Sequence, residues 1–198
     1  HCLIAAGSRG MHGAAVLALK GCLRSGTGLV TGLIPGALAT TIPAIAPDAL
    51  CIIDPCPDHL SYLPSLDRFN AVALGPGCGQ HADTAVVVEQ CLRTAQGPLV
   101  VDADALNLIA AHPAWMELVG HQAVLTPHPK EMDRLLGSPS TSSYERLRRT
   151  QAFAWMTAWF ECALDWDCLQ PFGHATVSEA CAVTQAPRLL RVHLQRPA

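Results

Sequence analysis

Charge is scarce in this sequence. Only 15% of its 198 residues are charged, the net charge is −3, and Lys and Arg are spread thinly with no basic run. A nucleic-acid interface needs a clustered basic footprint, so DNA and RNA are excluded as expected partners. Long apolar stretches are missing too. No run approaches the ~20 unbroken apolar residues of a spanning helix, and the N-terminus has no charged, apolar, small-residue signal pattern. The expectation is a chain that does not enter a membrane and resides in the cytoplasm. Paired metal-ligand spacing is also lacking: Cys51 with Cys56 and Cys162 with Cys168 are too far apart for a CxxC site. The nine cysteines are odd in number and read as free thiols.

What is present is apolar. Hydrophobic residues make up 50% of the chain, enough for one large core at this length and too few residues for two comfortable ones. The opening run from His1 to Gly7 reads as a buried strand without a lead-in segment, so the chain is expected to begin within its domain. From His12 to Ser25, Ala15, Val16, Leu19, Cys22 and Leu23 recur at three- and four-residue steps, the stripe of a core-facing helix. Leu29 to Leu33 and Leu50 to Ile53 follow as strands, separated by a short irregular or helical stretch from Pro35 to Ile45. The alternation continues with strands at Ala71 to Leu74, Leu99 to Val101 and Ala123 to Leu125. Helices are expected at Asp83 to Ala95, Asp104 to Ala111 and Lys130 to Leu136. Short all-apolar strands alternating with helices predict an α/β fold, a mostly parallel sheet with helices on both faces. Near residue 150 this rhythm stops. Gln151 to Ala198 holds three of the four tryptophans and a single glycine, Gly173. The expected organisation is a domain over 1–150 and a divergent tail over 151–198, joined behind the polar connector Ser138 to Ser143.

Ligands of open parallel sheets sit beyond the carboxyl ends of the strands, which singles out four loops. Gly7-Ser-Arg-Gly-Met-His-Gly13 leads into Ala14 and Ala15; it reads equally as an anion-facing turn or as a tight turn needing positive φ. Gly75-Pro-Gly-Cys-Gly79 leaves the main chain bare for close approach of a bulky substrate. It is not the GxGxxG fingerprint, and no acidic residue follows at about twenty positions, which disfavours a dinucleotide-dependent dehydrogenase. In Val101 to Asn107, Asp102 ends a strand and is placed to hold a metal-bound water or a substrate hydroxyl, whereas Asp104 is expected to cap the next helix. In Leu125 to Glu131, His128 lies between two prolines that keep it in the loop, and Glu131 falls in the first helical turn.

Taken in order, GSRGMHGAA, LRSGTGLVT, ALGPGCG, VVDADALN and LTPHPKEMDRLLG resemble the ADP- or ATP-dependent NAD(P)H-hydrate dehydratases, over about residues 3 to 149. The resemblance implies a ribokinase-like fold and a lyase that repairs hydrated nicotinamide cofactors. It implies ADP or ATP with Mg2+ as cofactors and NAD(P)H hydrate as the small-molecule partner, with a homo-oligomer as one form. It also implies that Ala14, Ala15, Gly75, Gly77, Asp102, Asn107 and His128 contact the hydrated cofactor, and that Glu131 organises magnesium and phosphate. Members of the family continue with a Lys-Gly segment and a GTGD-like turn whose aspartate is the general base. Neither segment occurs after Gly137 here. The catalytic base is therefore unassigned, the sheet is expected to be incomplete at its C-terminal end, and the tail is expected to be a frameshifted or replaced C-terminus. Two other readings stay open: a non-catalytic fragment keeping part of the hydrated-cofactor surface, and another ribokinase-like kinase of small molecules such as hydroxyethylthiazole.

Overall fold

The computed structural model describes residues 1–120 and 122–156; the proposed tail lies almost wholly outside them. Six strands, β1 (Cys2–Ala5), β2 (Val30–Ile34), β3 (Leu50–Ile53), β4 (Ala71–Leu74), β5 (Leu99–Val101) and β6 (Ala123–Leu125), form one sheet in the order β3-β2-β1-β4-β5-β6. Every neighbouring pair is parallel. Six helices accompany them: α1 (His12–Arg24), α2 (Thr41–Ile45), α3 (Ala82–Thr94), α4 (Ala103–Ala111), α5 (Pro129–Leu135) and α6 (Ser143–Met156). A 3-10 turn over Pro113–Leu118 and the whole of α6 add to the elements expected from sequence.

Strand β1 shows why the apolar runs do not alternate with polar residues. Leu3 and Ala5 enter one core with Val87, Val88 and Cys91 of α3 and Leu106 and Ile109 of α4. Ile4 and Ala6 enter the other, with Ala15 and Leu19 of α1 and Ile42 of α2. Both faces of the strand are dry, so successive residues must all be apolar. Leu19 is fully buried and lies over Gly32, where a Cβ would come within 3.2 Å of its methyl carbons. Truncating such a leucine typically costs ~2–5 kcal/mol.

The chain winds outward from β1 through β2 to β3, then crosses back and winds the other way from β4 to β6. The carboxyl ends of β1 and β4 are hence the point where loops diverge and leave a crevice. All four sequence-selected loops follow β1, β4, β5 or β6. Among the described residues no helix is long and apolar enough to cross a membrane, and the six cysteines there are free.

Candidate functional site

The loops after β1 and β4 are knitted together. Gly7 N–H donates to the Pro76 carbonyl at 2.9 Å, and Ser8 Oγ donates to the Gly77 carbonyl at 2.9 Å. Gly77 has φ +62°, and a Cβ there would lie 2.8 Å from the Ala14 Cβ and 3.2 Å from the Met11 carbonyl. Gly75, at φ +122°, would drive a Cβ into the Asp102 carbonyl oxygen. Both positions require glycine for conformation and for space. Ala14 is half-buried beside Gly77, whereas Ala15 is fully buried in the core beneath Gly7.

Asp104 does not cap α4 with its side chain. Its Oδ2 accepts the Gly79 N–H at 3.0 Å, bridging the first turn of α4 to the β4 loop. The reach of 25 residues explains why local spacing suggested a cap instead. Between the two loops, Cys78 is fully buried, and burial, helped by the Asp104 charge, pushes its thiol up to about 12. It is not a nucleophile at neutral pH.

Asp102 ends β5 in extended conformation and precedes Ala103, which holds φ +50°. A non-glycine residue there stores on the order of 1 kcal/mol of strain, tolerated where the surroundings over-determine the backbone. Among the described residues the Asp102 carboxylate has no hydrogen-bond partner of its own. Asn107, one turn further along α4, has its side-chain oxygen occupied by Arg134 of α5 at 2.7 Å.

The loop after β6 is a capping box. His128 Nδ1 accepts the N–H groups of Lys130 at 3.1 Å and Glu131 at 3.4 Å, so it carries no proton. The Glu131 carboxylate replies twice, accepting the His128 N–H on Oε2 at 2.9 Å and facing Nε2 with Oε1 at 3.0 Å. That pattern assigns the proton to Nε2. Burial pushes the Glu131 carboxyl above its usual value, and the nearby Asp102 charge adds to the effect; His128 and Arg134 oppose both without cancelling them. Both ring nitrogens of His128 are committed, yet 42% of its side chain is exposed. It therefore offers a flat imidazole surface rather than a free base.

The six-stranded parallel sheet with helices on both faces, its glycine turns, Asp102 and His128 gathered at the carboxyl ends, marks an α/β protein of ribokinase-like fold. An Enterococcus faecalis ribokinase-like superfamily protein superposes with a TM-score of 0.60 at 20% identity, over 76% of this chain and 54% of that one. A model of the NAD(P)H-hydrate dehydratase family matches residues 2–159, and the chain belongs to that family. The bifunctional NAD(P)H-hydrate repair enzyme Nnr of Gloeobacter violaceus is 39% identical over 78% of this chain and 31% of its own length. The ADP/ATP-dependent NAD(P)H-hydrate dehydratase of Bacillus subtilis, co-crystallised with ATP and Mg2+, gives a TM-score of 0.60 at 26% identity, over 80% of this chain and 55% of that one. The chain thus spans about a third of the length of the curated relatives it matches.

Proposed function

We propose that this chain carries the hydrated-cofactor side of a nucleotide-dependent lyase that converts (6S)-NAD(P)H hydrate to NAD(P)H. The observation that carries the reading is that the loops after β1, β4, β5 and β6, locked together by the buried Gly75 and Gly77, bring Ala14, Asp102 and His128 to one carboxyl edge of the sheet. A hydrated nicotinamide is bulky and polar, and the crevice where the loops after β1 and β4 diverge is where an open parallel sheet takes such a ligand.

Hydroxide is a poor leaving group. ADP or ATP with Mg2+ would supply the phosphoryl group that turns this hydroxyl into a leaving phosphate, its loss with a neighbouring C–H proton giving NAD(P)H. The residues of this chain orient and shield. Gly77, buried against Ala14, fixes the loop that borders the site, and the His128 face supports the nicotinamide ring. Asp102, with no internal partner, is the carboxylate free to meet Mg2+ or a substrate hydroxyl. Glu131 acts through His128, because both its oxygens are already engaged there. Asn107 contributes by holding Arg134 beside Glu131. The same reading keeps 1–150 as the family domain and 151–198 as a separate tail, with a cytoplasmic location and a homo-oligomer as its form.

Incubating the purified chain with NADH hydrate, Mg2+ and either ADP or ATP tests this. Nucleotide-dependent return of the reduced-nicotinamide absorbance is the expected result; no return under saturating ADP and ATP contradicts catalysis. A second reading, binding without turnover, is favoured by one observation: Gly173 is the only glycine after Gly137, which leaves no GTGD-like turn. It predicts calorimetric binding of the hydrate with no absorbance change.

A further inference from the structure

Away from the glycine turns, the segment following β3 meets the N-terminus of α3. His59, from the first, stacks on His81, from the second, with ring centroids 3.7 Å apart and planes inclined at 24°. Asp83 Oδ2 lies 3.0 Å from His59 Nε2 and 3.5 Å from His81 Nδ1. One donor atom from each of the three side chains falls within 4.8 Å of the other two.

We propose that His59, His81 and Asp83 bind one divalent transition-metal ion of the zinc type. Three observations carry this. His59 Nε2 hydrogen-bonds to Asp83 Oδ2 at 3.0 Å, and His81 Nδ1, which accepts the Asp83 N–H at 3.2 Å, lies 3.5 Å from the same oxygen, so the three side chains already meet at one carboxylate. An ion there replaces the long Asp83 N–H contact at Nδ1 and the proton shared by His59 and Asp83. The donor set is two imidazoles and a carboxylate, with the Cys56 thiol 3.5 Å from both ring nitrogens of His59. Nitrogen-rich sets select zinc-like ions, while Mg2+ and Ca2+ require oxygen.

The third observation is that both platforms are already fixed. The buried Asp54 carboxylate accepts from Cys56 N at 2.8 Å, Ser61 N at 2.7 Å, Ser61 Oγ at 2.6 Å and Tyr62 N at 3.0 Å, which sets the bend that carries His59. Beside it, the buried Thr84 hydroxyl of α3 donates to the Leu60 carbonyl at 3.1 Å. The three side chains therefore stand on a fixed framework, and ring rotation of the two stacked imidazoles is the only ordering an ion must impose.

The segment also reaches the β1 and β2 loops. Arg9 N–H donates to the Asp58 carbonyl at 2.8 Å, the Arg9 and Asp58 side chains pair, and Gly36 N–H donates to the Cys56 carbonyl at 2.9 Å. An ion at His59, His81 and Asp83 is a clasp that joins this rim to α3. It is separate from any Mg2+ at Asp102.

Cobalt titration of the full chain tests the site directly. The expected result is a tetrahedral d–d absorption that saturates at one equivalent of Co2+, is displaced by Zn2+ and is untouched by millimolar Mg2+. His81→Ala and Asp83→Ala, both at exposed side chains, should each weaken binding by more than about 100-fold, beyond the ~10–100-fold typical of outer-shell changes. His112→Ala, outside the cluster, should bind as the parent does. Absence of the tetrahedral absorption in the parent chain overturns the proposal, as does its survival at unchanged affinity in both His81→Ala and Asp83→Ala.

Discussion

His128 and Glu131 hold each other by backbone and side chain at once: the glutamate accepts the His128 N–H at 2.9 Å and faces Nε2 at 3.0 Å, while Nδ1 accepts the Glu131 N–H at 3.4 Å. Orientation of the imidazole is thus a property of the pair. Glu131→Ala leaves the His128 N–H without its partner and should cost about 1–2 kcal/mol, read as a fall in the denaturation midpoint. Glu131→Gln keeps one acceptor and should cost less, yet weaken hydrate binding because Nε2 loses its partner.

Glu131 also gives a pH signature. Its carboxyl is raised above the ordinary 4.5 by burial, so folding favours the protonated form. The associated stability is fully present below 4.5 and is lost as pH rises through the elevated value in the native state. Denaturation curves collected upward from pH 4.5 should show this loss in the parent chain. Glu131→Gln should flatten that part of the profile; an identical slope in both proteins would refute the assignment.

Opposite behaviour is expected of Asp133. Burial raises its carboxyl, but the hydrogen bonds and charge of Arg146, 3.1 Å away, together with Ser140, outweigh burial and hold it below the ordinary 3.8. That stability is present above 3.8 and is lost as pH falls through the depressed value. Because the pair joins α5 to α6, Arg146→Ala should lower stability at neutral pH by roughly 1–2 kcal/mol and shrink the acid-dependent part, leaving what Ser140 contributes.

Three glycines with positive φ should rank by the space behind them. Gly10, at φ +87°, has open surroundings, so Gly10→Ala costs only backbone strain of about 1 kcal/mol. Gly77→Ala adds the approach to Ala14, and Gly75→Ala meets the Asp102 carbonyl and the Ala105 Cβ. Melting temperatures should fall in the order Gly10→Ala, Gly77→Ala, Gly75→Ala, with the last deepest.

Local sequence carried the fold well because the strands are mostly apolar runs, with β1 and β2 buried on both faces, and helices α1, α3 and α4 show an apolar stripe. Strands β3 to β6 begin and end where the apolar runs do. Helix α6 was not legible, since its sequence SYERLRRTQAFAWM mixes polar and apolar residues and its link to α5 is the Arg146–Asp133 pair, thirteen residues apart. The site divides in the same way. Glycine-rich turns and the proline-flanked His128 could be read locally, whereas the Asp104 bridge to Gly79 and the Arg134 bond to Asn107 depend on packing across strands. The His59, His81 and Asp83 cluster was invisible for that reason as well: 24 residues separate its ends.

Calorimetric titration of NADH hydrate into the parent chain and into His128→Ala tests most directly whether this sheet edge is a hydrated-cofactor surface. The parent should bind the hydrate in preference to NADH itself, and His128→Ala should weaken binding by about tenfold or more, the equivalent of ~1.4 kcal/mol. No binding by the folded parent chain, or equal affinity in the two proteins, would contradict the account.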